Sequence, residues 1–198
     1  MTLREPRSMP RTDELALRPI TADDAARDHD AVMETRADLR LWEQSAWPED
    51  DFTVEANRAD LVGLQERHAA GHAFTYTVLD PASPDAADPR SLGCVYVFPT
   101  TAAFLARSRV TPLGDDAWDD VQAVVYFWVR TSRTADGLDR RLLEALRGWF
   151  AAGWGLERTV FVTNEQLTQQ VGLLDRSGLT RRFTLVEPGK DGAYLVYG

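Results

Sequence analysis

Residues 129–150, VRTSRTADGLDRRLLEALRGWF, are where residue type and spacing come closest to dictating chemistry. An apolar segment runs through a turn containing Gly137 into a helix-forming sequence. Such a junction presents the N–H groups of the first helical turn at the positive end of the helix dipole, which makes an anion site. Asp136 and Asp139 place carboxylates in the same region. As caps of their own helix they would contribute ~0.5–2 kcal/mol, and the helix would then need no outside anion. A carboxylate ~4 Å from a phosphate charge costs ~1 kcal/mol in water-like surroundings and ~4 kcal/mol at an effective dielectric near 20. Arg130, Arg133, Arg140 and Arg141 could offset much of that repulsion, so both readings stay open on sequence alone.

Two further segments mix acidic and aromatic side chains. LWEQSAWPEDDF (41–52) offers Trp42, Glu43, Trp47, Glu49, Asp50 and Asp51, and the long connection at 100–118 leads into Asp115, Asp116, Trp118, Asp119 and Asp120. Together they would favour a cationic ligand through charge pairing and cation–π contact, with Trp42, Glu43 and Trp47 as candidate contacts. Solvated loops with a few aromatics turned inward account for the same residues equally well. Asp119 and Asp120, beside an apolar strand, are candidate proton acceptors. His68 and His72 are four apart, but Gly71 falls between them and no third ligand is evident, so no metal site is expected. Cys94 within LGCVYV reads as a small core hydrophobe. GWGLER (153–158) lacks the third glycine and the preceding strand of a dinucleotide fingerprint.

The elements that must position these groups follow from periodicity. LALRPI (15–20) alternates as a strand, and Thr21 can cap a first helix ending near Arg40. Thr53 can cap a second helix that Gly71 would end. FTYTVLD (74–80) and LGCVYVF (92–98) read as a hairpin across a polar loop. VQAVVYFWVR (121–130) has the profile of a central strand buried on both faces. Leu138, Leu142, Ala145, Leu146 and Trp149 fall on one face of the helix after it. TVFVT, EQLTQQVGLLDRS, LTRRFTLV and AYLVY complete the order β-α-α-β-β-β-α-β-α-β-β, which suggests a three-layer α/β or α+β domain.

Composition bounds the rest. The chain has 198 residues, 31 acidic against 22 basic, and a formal net charge of -9. That balance argues against a nucleic-acid footprint, which needs a basic face. The lone cysteine excludes an intramolecular disulfide and suggests a reducing compartment such as the cytoplasm. No apolar run approaches a membrane span. Residues 1–14 are polar, with two prolines, and read as a mobile lead-in to a domain at 15–198.

The element order from about residue 15 onward, with VYFWVRTSRTADGLDRRLL at its middle, resembles the GNAT acyltransferase superfamily, whose members move an acetyl group from acetyl-coenzyme A to an amine. The family's loop pattern is Gln or Arg, any two residues, Gly, any residue, then Gly or Ala. It falls on Thr134, Ala135, Asp136, Gly137, Leu138 and Asp139, of which Gly137 matches while Thr134 and Asp139 depart. TVFVTNEQ places Asn164 where the family often has an Asn near the pantetheine arm. LLDRSGL (173–179) resembles the segment that carries the family's general-acid Tyr, here Leu174, which cannot donate a proton.

The resemblance implies a three-layer sandwich with a mixed sheet of six or seven strands and helices on both faces. It implies acetyl-coenzyme A as acyl donor, no metal, and direct attack by a small, cationic primary amine in a ternary complex. The coenzyme would meet Trp128, Val129, Arg130, Thr134, Ala135, Asp136, Gly137, Leu138, Asp139, Arg140 and Asn164, with an N–H between Trp128 and Arg130 polarising the thioester carbonyl. The exposed sheet edge of such a fold could pair two subunits. The alternative is a GNAT-shaped ligand-binding or regulatory module without catalysis, which Asp139 and Leu174 favour.

Overall fold

The computed structural model describes residues 3–198. One eight-stranded sheet carries the molecule, in the order β1-β2-β3-β5-β6-β8-β7-β4. Its strands are β1 (Ala16–Pro19), β2 (Phe74–Leu79), β3 (Ser91–Phe98), β4 (Arg109–Pro112), β5 (Ala123–Val129), β6 (Thr159–Asn164), β7 (Arg181–Val186) and β8 (Tyr194–Tyr197). The helices are α1 (Ala25–Glu43), α2 (Val54–Ala69), α3 (Ala103–Arg107), α4 (Thr131–Thr134), α5 (Leu138–Ala152) and α6 (Thr168–Asp175). All neighbouring strands are antiparallel except β5 and β6, which run parallel.

All seven residues of β5 are buried, as its unbroken apolar run requires. Its side chains alternate between two cores. Val125, Phe127 and Val129 join Leu138, Leu142, Leu146 and Phe150 of α5 on one face. Val124, Tyr126 and Trp128 join Val32, Leu39 and Trp42 of α1 on the other. The Thr53 hydroxyl caps α2 by accepting the Ala56 N–H at 3.1 Å.

Three expectations are corrected. The connection at 100–118 contains α3 and β4, and β4 extends the sheet to eight strands by pairing with β7. Helix α1 runs on to Glu43, so Trp42 and Glu43 belong to its last turn rather than to a connector. The N-terminal stretch expected to be mobile is packed on the domain. Leu3 is buried, Glu5 accepts the Tyr76 hydroxyl at 2.7 Å, and the Ser8 carbonyl accepts the Trp149 indole N–H at 2.7 Å.

Gln44 ends α1 in the left-handed region, at φ 51°. Its side-chain oxygen accepts the Gly192 N–H at 2.7 Å, and its amide donates to the Gly192 carbonyl at 3.1 Å. This clamp holds the β7–β8 turn over the end of α1. Among the described residues, no helix is long and apolar enough to cross a membrane.

Candidate active site

The parallel pair β5–β6 is registered only from Ala123–Thr159 to Val125–Phe161. Beyond that point the two strands no longer pair with each other, although β5 continues to Val129 beside β3 and β6 to Asn164 beside β8. The Arg130 N–H donates to the Leu92 carbonyl at 2.8 Å, so alternate residues of β5 turn their main chain toward β3. Phe127 turns the other way, into the gap. There its carbonyl accepts the Gln170 side-chain amide at 2.7 Å. The Thr163 hydroxyl donates to the Gln170 side-chain oxygen, also at 2.7 Å. One buried glutamine of α6 therefore spans the parted strands.

By the same alternation, Val129 faces the gap while Trp128 and Arg130 direct their main chains at β3. Within the stretch Trp128 to Arg130, where an N–H toward a ligand was expected, Val129 is therefore the residue whose main chain faces the gap. The Arg130 side chain is equally committed. It is 1% exposed and bonds Asp30 and Glu34 of α1, both at 2.6 Å.

The mouth at the start of α5 is likewise occupied from within. Gly137, at φ 73°, is the residue before the helix, a conformation that suits glycine. Asp136 is not the cap. It pairs with Arg133 at 3.2 Å, and its carbonyl accepts Arg141 Nη1 at 2.7 Å. Asp139 is 7% exposed, and its carboxylate accepts the Arg140 N–H at 2.8 Å and the Gln169 side-chain amide. The Gly137 N–H is taken by the Thr134 carbonyl, and the Thr134 hydroxyl donates to the Thr131 carbonyl. Ala135 lies in the exposed turn, while Leu138 is buried in the core.

The arginines expected to offset the carboxylates also have partners. Arg140 pairs with Glu144 at 2.9 Å and Arg141 with Glu14 at 2.7 Å. The crevice lined by Phe127, Val129, Thr134, Asp139, Gln169 and Gln170 retains only about 30 Å³. The groups filling it are informative. A primary amide sits where an amide-bearing chain could add to β5, and a carboxylate sits where the dipole favours an anion. The donor set suits a pantetheine-linked phosphate, but Gln170 and Asp139 hold that position now.

Asn164 is fully buried at the end of β6. Its side-chain oxygen accepts the Gln166 N–H at 2.7 Å, and its Nδ2 has no partner. Leu174 lies in the core at 0% exposure.

On the α1–α2 face a second cavity of about 600 Å³ opens. Trp42, Glu43 and Trp47 line it together. Tyr96, Tyr126, Tyr194 and Glu187 line it too, although their dispersed positions marked none of them in the sequence. Tyr126 is the hub, 5.8 Å from the Trp42 ring and 6.3 Å from that of Tyr194. Burial and the nearby Glu187 push its phenol far above the ordinary range, so it stays protonated. Burial and the neighbouring Glu43 raise the Glu187 carboxyl. Trp42 lines the crevice as well as the cavity, and its indole N–H is buried with no acceptor.

Asp119 and Asp120 do not join this site. They sit in a 3-10 turn before β5, at the end where β5 and β6 are still paired, and Asp120 bonds Arg158 at 2.8 Å. Asp116 pairs with Arg182 at 3.0 Å, and Trp118 packs on Phe183. Asp116 and Trp118 are thus engaged on the β7 side, while Phe104 of the same connection reaches the cavity.

No family model matches the sequence, and no curated protein is significantly similar to it. Solved structures match along nearly the whole chain, and the class they define is the GNAT acyltransferase fold, which this chain has. One is RimL, the ribosomal L7/L12 alpha-N-protein acetyltransferase in complex with coenzyme A, at TM-score 0.67 and 16% identity over 96% of this chain and 95% of that one. A second is the ribosomal-protein-S5-alanine acetyltransferase from Vibrio fischeri, at TM-score 0.65 and 18% identity over 96% and 94%. RimJ from Mycobacterium smegmatis, in complex with CoA-disulfide, matches at TM-score 0.66 and 17% identity over 92% and 80%.

Proposed function

We propose that the chain is an acetyl-coenzyme A-dependent N-acyltransferase acting on a small cationic primary amine by direct attack in a ternary complex. The observation that supports this most is the meeting of two spaces at Trp42. On one side strands β5 and β6 part, and on the other lies an aromatic cavity with carboxylates. Acetyl-coenzyme A, when bound, supplies the acyl group as an activated thioester. The main chain of Phe127 and Val129 would hold its amides in place of Gln170, and the first turn of α5 would face its phosphates. The unpartnered Trp42 indole N–H is a donor available to a carbonyl oxygen at the junction. Trp42, Trp47 and Tyr126 suit an ammonium by cation–π contact. The acetyltransferases of similar fold that are described as acting on ribosomal proteins extend the acceptor panel to peptide α-amines, which carry the same charge.

A second reading, a ligand-binding module without catalysis, is favoured by the filling of the crevice by Asp139, Gln169 and Gln170. Thermal unfolding separates the two. Acetyl-coenzyme A at a hundred times its dissociation constant should stabilise the fold by ~2.7 kcal/mol, a rise of ~5–10 °C in melting temperature. Free thiol should then appear on adding an amine from a panel of monoamines, polyamines and short peptides. No rise at millimolar acetyl-coenzyme A would leave only the binding module.

A further inference from the structure

The β7–β8 turn carries a carboxylate that the proposed chemistry has not used. Glu187 follows β7 and lines the 600 Å³ cavity, held there by the Gln44–Gly192 clamp and by Lys190, which bonds Glu43 at the end of α1. The Tyr126 hydroxyl lies 3.5 Å from Glu187 Oε1. Tyr126 stands between Val125, the last residue of β5 registered with β6, and Phe127, whose carbonyl faces the gap. Glu187 is thus beside the point where crevice and cavity converge.

We propose that Glu187 receives the ammonium of the acceptor and accepts its proton, and that the acceptor is a monoamine with an aromatic-sized apolar body. Three carboxylates line the cavity. Glu43 is paired with Lys190 at 3.3 Å, and Asp60 is exposed on α2. Glu187 is half-buried and has no ion pair among the described residues, so a ligand cation would supply its missing partner. The rings of Trp42, Phe98, Phe104 and Tyr194 offer apolar area for the body of the ligand. Arg67 in the cavity wall and Lys190 beside it oppose a second positive charge. Trp42, a residue of this wall, has a buried indole N–H without a partner among the described residues.

Ammonium binding stands without the acyltransferase reading; the proton step rests on it. In that step the ammonium gives one proton to Glu187, and the freed lone pair forms the C–N bond to the acyl thioester as its C–S bond breaks. The second proton on that nitrogen goes to the departing sulfur, and Glu187 returns its own proton to solvent.

Calorimetric titration of the full chain with 2-phenylethylamine, its neutral counterpart 2-phenylethanol, and spermidine tests the site. The wild type should bind 2-phenylethylamine more tightly than the other two. Glu187→Gln should weaken it roughly 10- to 100-fold, the worth of a charge-assisted hydrogen bond, and leave 2-phenylethanol unaffected. Glu187→Asp should recover part of the loss, which guards against misfolding as the cause. Amine affinity should fall in acid for the wild type and not for Glu187→Gln. The charged or titratable neighbours are Glu43 from α1, Lys190 from the turn, Tyr126 from β5 and Tyr194 from β8, with Asp60 and Arg67 of α2 in the same cavity lining, and both tyrosines remain protonated throughout. Equal amine affinity in wild type and Glu187→Gln, or wild-type spermidine binding as tight as 2-phenylethylamine, would overturn the proposal. Glu187-dependent binding without thiol release would sustain the ammonium site and remove the acyltransferase reading instead.

Discussion

At the scale of single residues, Asp139 and Gln170 act as ligands the protein provides for itself. Each satisfies main-chain groups that the proposed coenzyme would need. Removing the charge with Asp139→Asn should therefore raise coenzyme affinity, by about fivefold to a thousandfold for ~1–4 kcal/mol of relieved repulsion. Gln170→Ala leaves the Phe127 carbonyl and Thr163 hydroxyl without their partner, which costs the free protein about 1–3 kcal/mol. Its melting temperature should fall, and the rise on adding coenzyme should be larger than in the wild type. If titration finds weaker binding in both variants, the two side chains belong to the binding surface rather than obstruct it.

At the scale of elements, the packing of α1 between α2 and β3 encloses an acid. Burial raises the Asp28 carboxyl to about 6, opposed by the Asn57 amide bond and by Arg130 and His29, and reinforced by Asp24. A carboxyl raised in the fold contributes stability at low pH that is lost as pH climbs through its folded value. Between 3.8 and about 6 the change is roughly 3 kcal/mol. Melting temperature should thus decline from pH 4 to pH 7, and Asp28→Asn should flatten that decline and melt higher at pH 8.

Legibility of the sequence also divides by element. Strand β5, helix α5 and the β2–β3 hairpin were readable because long periodic apolar runs have one stable solution. Strand β4 was not, since RVTP is four residues long and mostly exposed. Trp42, Glu43 and Trp47 could be grouped because they are neighbours in the chain. Tyr126, Glu187 and Tyr194 reach the same cavity only through the strand order β5-β6-β8-β7, which no local pattern reveals. Gln169 and Gln170 left one signal, adjacent polar residues in a helix whose neighbours are apolar. The expected role for Asp119 and Asp120 failed because they lie at the wrong end of β5.

At the scale of the whole molecule, the N-terminal segment closes one end of the sheet. The Leu17 N–H donates to the Pro10 carbonyl at 2.9 Å, Arg11 bridges to Ala16, and Glu5 binds both His68 and Tyr76. The opposite edge is the short β4, which ends in Pro112. Both edges are poor templates for pairing with a second copy. Deleting residues 1–9 would remove buried Leu3 and strand the Tyr76 hydroxyl and Trp149 indole. It should lower the melting temperature by several degrees, ~2–4 °C per kcal/mol in a chain of this size. An unchanged transition would show that the segment contributes nothing to the fold.

Trp42 lines both chambers, the crevice and the cavity. If that indole shifts when one chamber fills, the two occupants are thermodynamically linked. Whatever factor the amine imposes on the carrier's dissociation constant, the carrier must impose on the amine's.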